Sequence, residues 1–530
     1  MRSVAILLGW AGLWAFPVSS IAVQSETQRK SDAFPNIVII LADDLGYGDP
    51  GCYNPDSKIP TPNLDRIAAN GLRFTDAHTP SSVCTPTRYG LLTGQYCWRT
   101  RLKLGVLDGF SPPLIPRDRL TIATLLKQNG YSTACLGKWH LGMQWLRQDG
   151  TLETSDRGES GFRGGEAIDF QAKITGGPID VGFDSYFGIS ASLDMPPYCW
   201  IENDHCQPVP NSTTPDNKTD LFRTQTEGAS YSDFRIEDVL PTLKRRTIAK
   251  VDEHFSHNRD QPLFLYLPLN SPHLPVAPSR DFAGKSQAGH YGDFVVETDD
   301  FVGGVLDAFA KHDALQNTLI VFTSDNGGLW HTWTPQEADD VASYKPTPRG
   351  MYTSGFDHHS NASLRGTKAD IYEGGHRVPF LVHWPAVIST SRVVNEPVEL
   401  TDVLATIADV TSQKLPASLE HDSCSFAEIL GIPQLSTGLR SILVHHSLQG
   451  NFAIRIGDWK FAEERGSGGF STPKSIVPKP GTAQGQLYNL AIDPFETHNV
   501  YLERPEQVAR MTKVLDKIRN TRQHADVVQE

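Results

Sequence analysis

The chain has 530 residues, a formal net charge of −13, 39 % hydrophobic and 21 % charged residues, and 24 Phe, 15 Tyr and 10 Trp. That apolar mass builds one large core with room for a second, smaller one, and excludes a disordered or low-complexity chain. An acidic surface excludes a general nucleic-acid binder or an adhesive for anionic membranes, so an anionic substrate needs a local basic site.

Met1-Arg2-Ser3, an apolar run from Val4 to Val18, and Ser19-Ser20-Ile21-Ala22 read as a secretory signal peptide over residues 1–22. The run is short for a span and carries Gly and Pro, and no later segment reaches transmembrane length. The expectation is a secreted or periplasmic protein (lysosomal or extracellular in a eukaryote) with no membrane span after cleavage. The seven cysteines are Cys52, Cys84, Cys97, Cys135, Cys199, Cys206 and Cys424. Their odd number leaves a thiol over, and Cys199 and Cys206 are spaced to clip a loop. Asn211, Asn217 and Asn361 open glycosylation sequons.

Residues 36–41 form a short, continuous, β-branched run, as a strand buried on both faces should. Residues 131–136, 262–267 and 318–323 repeat the pattern, and 295–306 has helical spacing. This alternation predicts an α/β fold with a large, mostly parallel central sheet flanked by helices. On the helix, Glu297, Asp299 and Asp300 are expected on a solvated face. The stretches 145–180 and 199–235 read as long loops. From about residue 441 short strands (441–445, 452–455, 486–490) and a helix-like stretch (504–520) predict a small α+β subdomain over 441–530, after a large main domain over 33–440.

In open α/β sheets ligands bind beyond the carboxyl ends of the strands. There the sequence places Asp43 and Asp44, then Lys138 and His140, then Asn270 and His273, then Asp325 and Asn326. Each alone fits a turn or a cap. Four sets in register point to a site. Asp43, Asp44, Asp325 and Asn326 are hard oxygen ligands, suited to Ca²⁺ or Mg²⁺ rather than Zn²⁺. Lys138, Arg88 and the histidines add cations and proton donors, which together with a divalent metal suit an anionic oxyester. Cys84 precedes Pro86, a residue fitted to the first turn of a helix, so it sits at a helix N-terminus where a thiol would be acidified. A disulfide with Cys97 and a buried structural thiol remain open on spacing.

Cys-x-Pro-x-Arg at 84–88 followed by Leu-Leu-Thr-Gly resembles the signature of the formylglycine-dependent (type I) sulfatases, of the arylsulfatase and N-acetylgalactosamine-6-sulfatase kind. Similar to that family, in the same order, are the opening at 36–49, Gly-Lys-Trp-His-Leu-Gly at 137–142 and Ser-Pro-His-Leu-Pro at 271–275. Thr-Ser-Asp-Asn-Gly-Gly at 323–328, Leu-Arg-Gly-Thr-Lys at 364–368, Glu-Gly-Gly-His-Arg-Val-Pro at 373–379 and the ending at 487–499 follow. The resemblance implies an alkaline phosphatase-like sandwich. It implies that a formylglycine-generating enzyme oxidises Cys84, whose aldehyde hydrate is the nucleophile. Asp43, Asp44, Asp325 and Asn326, with residue 84, would bind one Ca²⁺. His273 and Lys368 would bind the sulfate and assist the leaving oxygen, His140 would take the proton from the second hydroxyl, and Arg88 and Lys138 would hold the nucleophile. His376 and Arg377 are expected to shape a turn.

The substrate expected is a sulfated small molecule or glycan, with aryl sulfates as model substrates. Asp194 and His359, in loops near the motifs, are the candidates to hydrogen-bond a sugar. Two other readings stand beside this one. A phosphatase or phosphodiesterase of the related fold would use Zn²⁺, for which Asp357-His358-His359 offers ligands. A Ca²⁺-bound, unconverted, non-catalytic secreted protein is the other.

Overall fold

Asn36–Ala42 (β1) is buried from its second residue onward and pairs in parallel with one strand on each side. The computed structural model describes residues 34–155, 167–217, 222–331, 355–435 and 438–521, so the expected signal peptide lies outside the described residues. Around β1 a ten-stranded sheet assembles from Leu72–Phe74 (β2), Ser132–Lys138 (β3), Ser185–Ile189 (β4), Ile201–Glu202 (β5), His205–Cys206 (β6), Leu263–Pro268 (β7), Thr318–Ser324 (β8), Phe380–His383 (β9) and Arg392–Val394 (β10). Its order is β10-β2-β9-β8-β1-β7-β3-β4-β5-β6. The central five, β8-β1-β7-β3-β4, run parallel, which puts their carboxyl ends on one edge.

Alternation along the strands feeds two cores. Ile37, Ile39 and Leu41 join Phe264, Tyr266 and Val321 on one face, with Ile122 and Leu126 of a helix at Ile122–Gln128. Val38, Ile40, Leu265 and Phe322 face the other way, onto helices at Val239–His257 and Gly289–Lys311. The latter covers the predicted helical stretch, but its acidic residues are not a solvated face. Glu297 and Asp299 are buried. Asp299 accepts the backbone N–H groups of Asn63 and Leu64 (3.1 and 2.8 Å), the open first turn of a helix at Pro62–Ala69. Only Asp300 keeps water, paired with Lys244.

The predicted loop at 199–235 carries β5, β6 and a two-stranded ribbon of Ser212–Thr214 and Gly228–Ser230. Cys199 and Cys206 meet across it with sulfurs 3.6 Å apart, as free thiols. Beyond residue 440 a four-stranded antiparallel sheet forms from Ile442–His446 (β11), Phe452–Ile456 (β12), Trp459–Ala462 (β13) and Gln486–Asn489 (β14). Its apolar face buries Met511, Leu515 and Ile518 of the helix Pro505–Asn520, with Tyr96 from the main domain. Trp459–Ala462 is the strand of this sheet missed in the sequence, as Leu72–Phe74, Ser185–Ile189, Phe380–His383 and Arg392–Val394 are in the central one.

Candidate active site

The register of β1 against β8 sets Ala42 opposite Ser324, so Asp43-Asp44 and Asp325-Asn326 leave the sheet at the same level. Backbone bonds fix them: Asp325 N donates to Ala42 O (3.1 Å), Asp43 N to Ser271 O (2.9 Å) and Asp44 N to Asp325 Oδ1 (3.2 Å). Asp44 and His140 hold left-handed backbone (φ 65° and 56°), a strained conformation for a residue with a Cβ and one that clusters at functional sites. Opposite them the helix Cys84–Thr93 begins with Cys84 itself and ends on Gly94, left-handed at φ 64°, the usual C-terminal stop. Every residue of this helix is buried, so its N-terminus is held rigidly against the strand ends.

Six charged side chains meet there, all buried. Arg88 grips Asp325 Oδ2 through Nε and Nη2 (2.9 and 2.8 Å) and donates from Nη1 to Lys138 O (3.0 Å). Lys138 Nζ donates to Asp43 Oδ2 (2.7 Å). Lys368 Nζ lies 3.0 Å from Asp44 Oδ2 and 3.5 Å from Cys84 Sγ, which is 3.6 Å from Asp43 Oδ1. His273 Nε2 stands 3.6 Å from Asp44 Oδ2 while its Nδ1 donates to Leu274 O. Three carboxylates thus balance three permanent cations. Burial works against the Asp43 carboxylate, yet Lys138, His273, Arg88 and Lys368 hold it well below its usual range. Burial, then repulsion from Asp43, pushes Asp325 up to about 7.

Cys84 corrects the expectation of an acidified thiol. Burial first, and Asp325 second, push it far above its ordinary value, against the pull of Lys138 and Lys368. The helix N-terminus is outweighed by desolvation and neighbouring carboxylates. Nor is Cys84 a half-cystine: all seven cysteines are free, and Cys97 Sγ faces Leu102 O. His140 has a defined tautomer. Nε2 faces Leu107 O at 2.7 Å and must donate, so the Nδ1 lone pair is left open, and Nδ1 has no hydrogen-bond partner among the described residues. Burial, then Lys138 and Arg88, hold the imidazole well below its usual range and hence neutral.

The donor set fits a hard cation. Asp43, Asp44, Cys84 and His273 each offer a donor atom within 4.8 Å of the others. Asn326 Nδ2 donates to Asp44 Oδ1 (2.8 Å), while its Oδ1 is buried without a hydrogen-bond partner among the described residues. That carbonyl oxygen, beside three carboxylates, is suited to an oxygen-loving divalent ion. The zinc set imagined at 357–359 does not form: Asp357 is exposed, and His358 Nε2 turns to Asp49 Oδ1 (2.8 Å).

The two sugar candidates lie on loops beside this centre. Ser190 O accepts His140 N (2.8 Å), and four residues on, half-buried Asp194 keeps Oδ1 without a partner among the described residues. His359 is exposed, its ring 6.1 Å from that of His331. Sequence reasoning missed two supports. Asp49 accepts Gly46 N (2.7 Å), His358 and Tyr291, bracing the turn after Asp44. Asn361, read as a sequon, is buried: its Oδ1 accepts Gly328 N (2.8 Å) and its Nδ2 donates to Gly328 O and Gly366 O. Only its Asn-x-Ser spelling was visible in sequence. His376 and Arg377 bind the chain around them: Arg377 donates to Thr75 O, and His376 Nδ1 lies 3.0 Å from His78 Nδ1.

Comparison with known proteins agrees with this geometry. The sulfatase family profile matches residues 35–413. An N-acetylgalactosamine-6-O-sulfatase of Bacteroides thetaiotaomicron is 30 % identical over 94 % of this chain and 95 % of its own length. Human arylsulfatase A is 32 % identical over 88 % of this chain and 83 % of its own. A solved B. thetaiotaomicron sulfatase, described under the metabolism of multiple glycosaminoglycans, superposes with a TM-score of 0.74 at 28 % identity, covering 92 % of this chain and all of that one. The chain belongs to the sulfatase family and is a sulfatase, a hydrolase of sulfate esters.

Proposed function

We propose that the enzyme cleaves a sulfate monoester on a carbohydrate, with Cys84 matured to formylglycine and one Ca²⁺ held by Asp43, Asp44, Asp325, Asn326 and residue 84. The observation that carries this reading is residue 84 itself. It opens a buried helix, touches Asp43 and Lys368, and faces an oxygen-rich ligand set. Ca²⁺ would supply charge to neutralise the sulfate oxygens, and an aldehyde hydrate at 84 would supply one hydroxyl to attack sulfur and a second to expel it. The chain's own residues do the rest. Arg88 and Lys138 hold the carboxylates that fix residue 84. His140 Nδ1, lone pair open, takes a proton. His273 and Lys368, both beside Asp44, bind the sulfate and assist the departing oxygen.

A sugar sulfate is favoured by the name of the Bacteroides relative and by the polar loop beside His140. Asp194 on that loop and His359 on the loop at 355–363 hold sugar hydroxyls. The enzyme works outside the cytoplasm, as its N-terminal segment suggests.

Mass spectrometry of the peptide holding residue 84, from the native host, tests maturation. The peptide should be lighter by the exchange of sulfur for oxygen and the loss of two hydrogens. An intact thiol in active enzyme would overturn the mechanism. Turnover of sulfated monosaccharides, an aryl sulfate and the matching phosphate esters tests the reaction. Preference for phosphate would favour the phosphatase reading, and an intact thiol with no turnover in protein from the native host the non-catalytic one. Asp194→Ala with unchanged KM for a sulfated sugar would remove that residue from the site.

A further inference from the structure

Lys368 rides on an unusual turn. Ala369, which follows it, holds φ 78°, a left-handed conformation that only glycine adopts without strain. Something must hold that turn. Three backbone bonds do part of it: Lys368 N to Gly328 O (3.2 Å), Ala369 N to Ser82 O (2.7 Å) and Leu448 N to Ala369 O (3.0 Å). Thr367 Oγ1, donating to Gly328 O (2.6 Å), and Asp370 N, donating to Thr367 O (3.0 Å), add to it, and so does the Asp370 carboxylate, which is fully buried. Oδ2 accepts Thr367 N (3.1 Å) and Ser471 Oγ (2.5 Å), and Oδ1 accepts Phe470 N (2.9 Å) and Ser471 N (3.0 Å). One oxygen thus folds the chain back onto the residue before Lys368, and both tie it to the segment 470–471 between β13 and β14. The fit there is close. A Cβ on Gly469 would lie 2.3 Å from the carbonyl of Ala369, so residue 469 must lack one for the segments to touch.

We propose that Asp370 is a positioning residue for Lys368, with the Gly469–Ser471 segment of the C-terminal region as its anchor. The proposal rests on the role given to Lys368 above. Asp370 touches no reacting atom. It fixes the backbone from which Lys368 reaches Asp44 and residue 84, so the C-terminal sheet is part of the catalytic apparatus rather than an appendage. The buried carboxyl, pushed up to about 6 by burial against its four hydrogen bonds, is ionised near neutral pH and accepts all four.

Asp370→Asn replaces one acceptor oxygen by an amide N–H₂ and leaves two donors facing a donor. Because Lys368 assists the leaving oxygen, its displacement should matter most where that oxygen leaves poorly. The test is steady-state turnover of a sulfated sugar and of 4-nitrophenyl sulfate by matured, Ca²⁺-loaded wild type, Asp370→Asn, Lys368→Ala and the double variant. The expected result is a fall in kcat of about 10–100-fold on the sugar sulfate, a smaller fall on the nitrophenyl ester, and a KM within a few-fold. The double variant should be no slower than Lys368→Ala alone. Equal loss on both substrates, or losses that multiply in the double variant, would mean that Asp370 serves the fold alone and would overturn the proposal. Full activity of Lys368→Ala would instead overturn the role of Lys368 and leave the proposal without its object. Where Asp370→Asn fails to fold, Ser471→Ala removes the single Oγ bond and should shift the sugar-to-aryl ratio the same way; an unchanged ratio in a folded Ser471→Ala refutes the anchor.

Discussion

Lys460 is a buried cation on β13, and its removal has a magnitude that can be worked from its contacts. Its Nζ donates to Glu373 (3.1 Å) and pairs with Glu496 (2.8 Å), and it lies 3.0 Å from His376 Nε2. His376 and His78 sit Nδ1 to Nδ1 at 3.0 Å, and His78 Nε2 lies 2.7 Å from Asp76 Oδ1. Lysine can only donate, so Nε2 of His376 accepts, its Nδ1–H passes to His78, and the His78 Nε2–H passes to Asp76. Lys460→Met removes the first donor of this chain, leaves buried Glu496 without its cation and leaves Glu373 only Arg377 Nη1 at 3.5 Å. Breaking a buried pair in this way costs about 3–5 kcal/mol. Unfolding entropy near 2.1 cal/mol/K per residue gives about 1 kcal/mol/K for about 500 residues that melt together, so Tm should fall by about 3–5 °C at pH 7.5. In the variant the carboxyls of Glu373 and Glu496 titrate above their unfolded values. The penalty is therefore full at high pH and fades as pH falls toward the unfolded carboxylate pKa. Differential scanning calorimetry at pH 7.5 and pH 5 measures both. A fall below 1 °C at pH 7.5, or one as large at pH 5, would refute the reasoning.

Three further outcomes follow from the site and the core. His140→Ala, which removes the open Nδ1, should lower kcat by about 10²–10⁴-fold with the circular dichroism unchanged; a loss under tenfold sinks the proton-acceptor role. Prolonged dialysis against EGTA should abolish turnover, and Ca²⁺ should restore it where Zn²⁺ does not; rescue by Zn²⁺ alone would contradict the oxygen ligand set. Glu297 carries a carboxyl pushed up to about 7 by burial. Its burial costs nothing below the unfolded value and grows as pH rises to about 7, so Glu297→Gln should gain on wild type, by on the order of 2–4 kcal/mol, between pH 4.5 and 8. Parallel stability curves for the two proteins across that range would refute it.

Four strands of the ten-stranded sheet were legible because each is a short apolar run too continuous for a surface, and the polar residues after them fell on one edge once the order was parallel. Asp43, Lys138, His273 and Asp325 were therefore readable as a set. What escaped reading depends on partners far along the chain. Asp299 looks solvated until Asn63, 236 residues away, brings its helix end to it. The acidity of Cys84 was misjudged because a helix N-terminus is visible in sequence and the crowding of Asp43 and Asp325 is not. Asp370 and Lys460 carry no local motif; only packing of the C-terminal segments shows what they hold.

The burial of Cys84 sets a biosynthetic timetable. The residue is 2 % exposed, and the wall around it includes Asp325, at the end of a strand that pairs with β1 along its whole length. From Cys84 to Ser324 is a further 240 residues (324 − 84). At about 5–20 residues per second that interval lasts about 12–48 s, during which residue 84 has emerged and its enclosure has not. On the maturation proposed for Cys84, the oxidising enzyme meets this side chain in that interval, or else waits for unfolding. Expression that outruns the modifying enzyme would then yield folded, correctly localised and permanently inactive protein, and refolding rather than longer incubation would be the remedy.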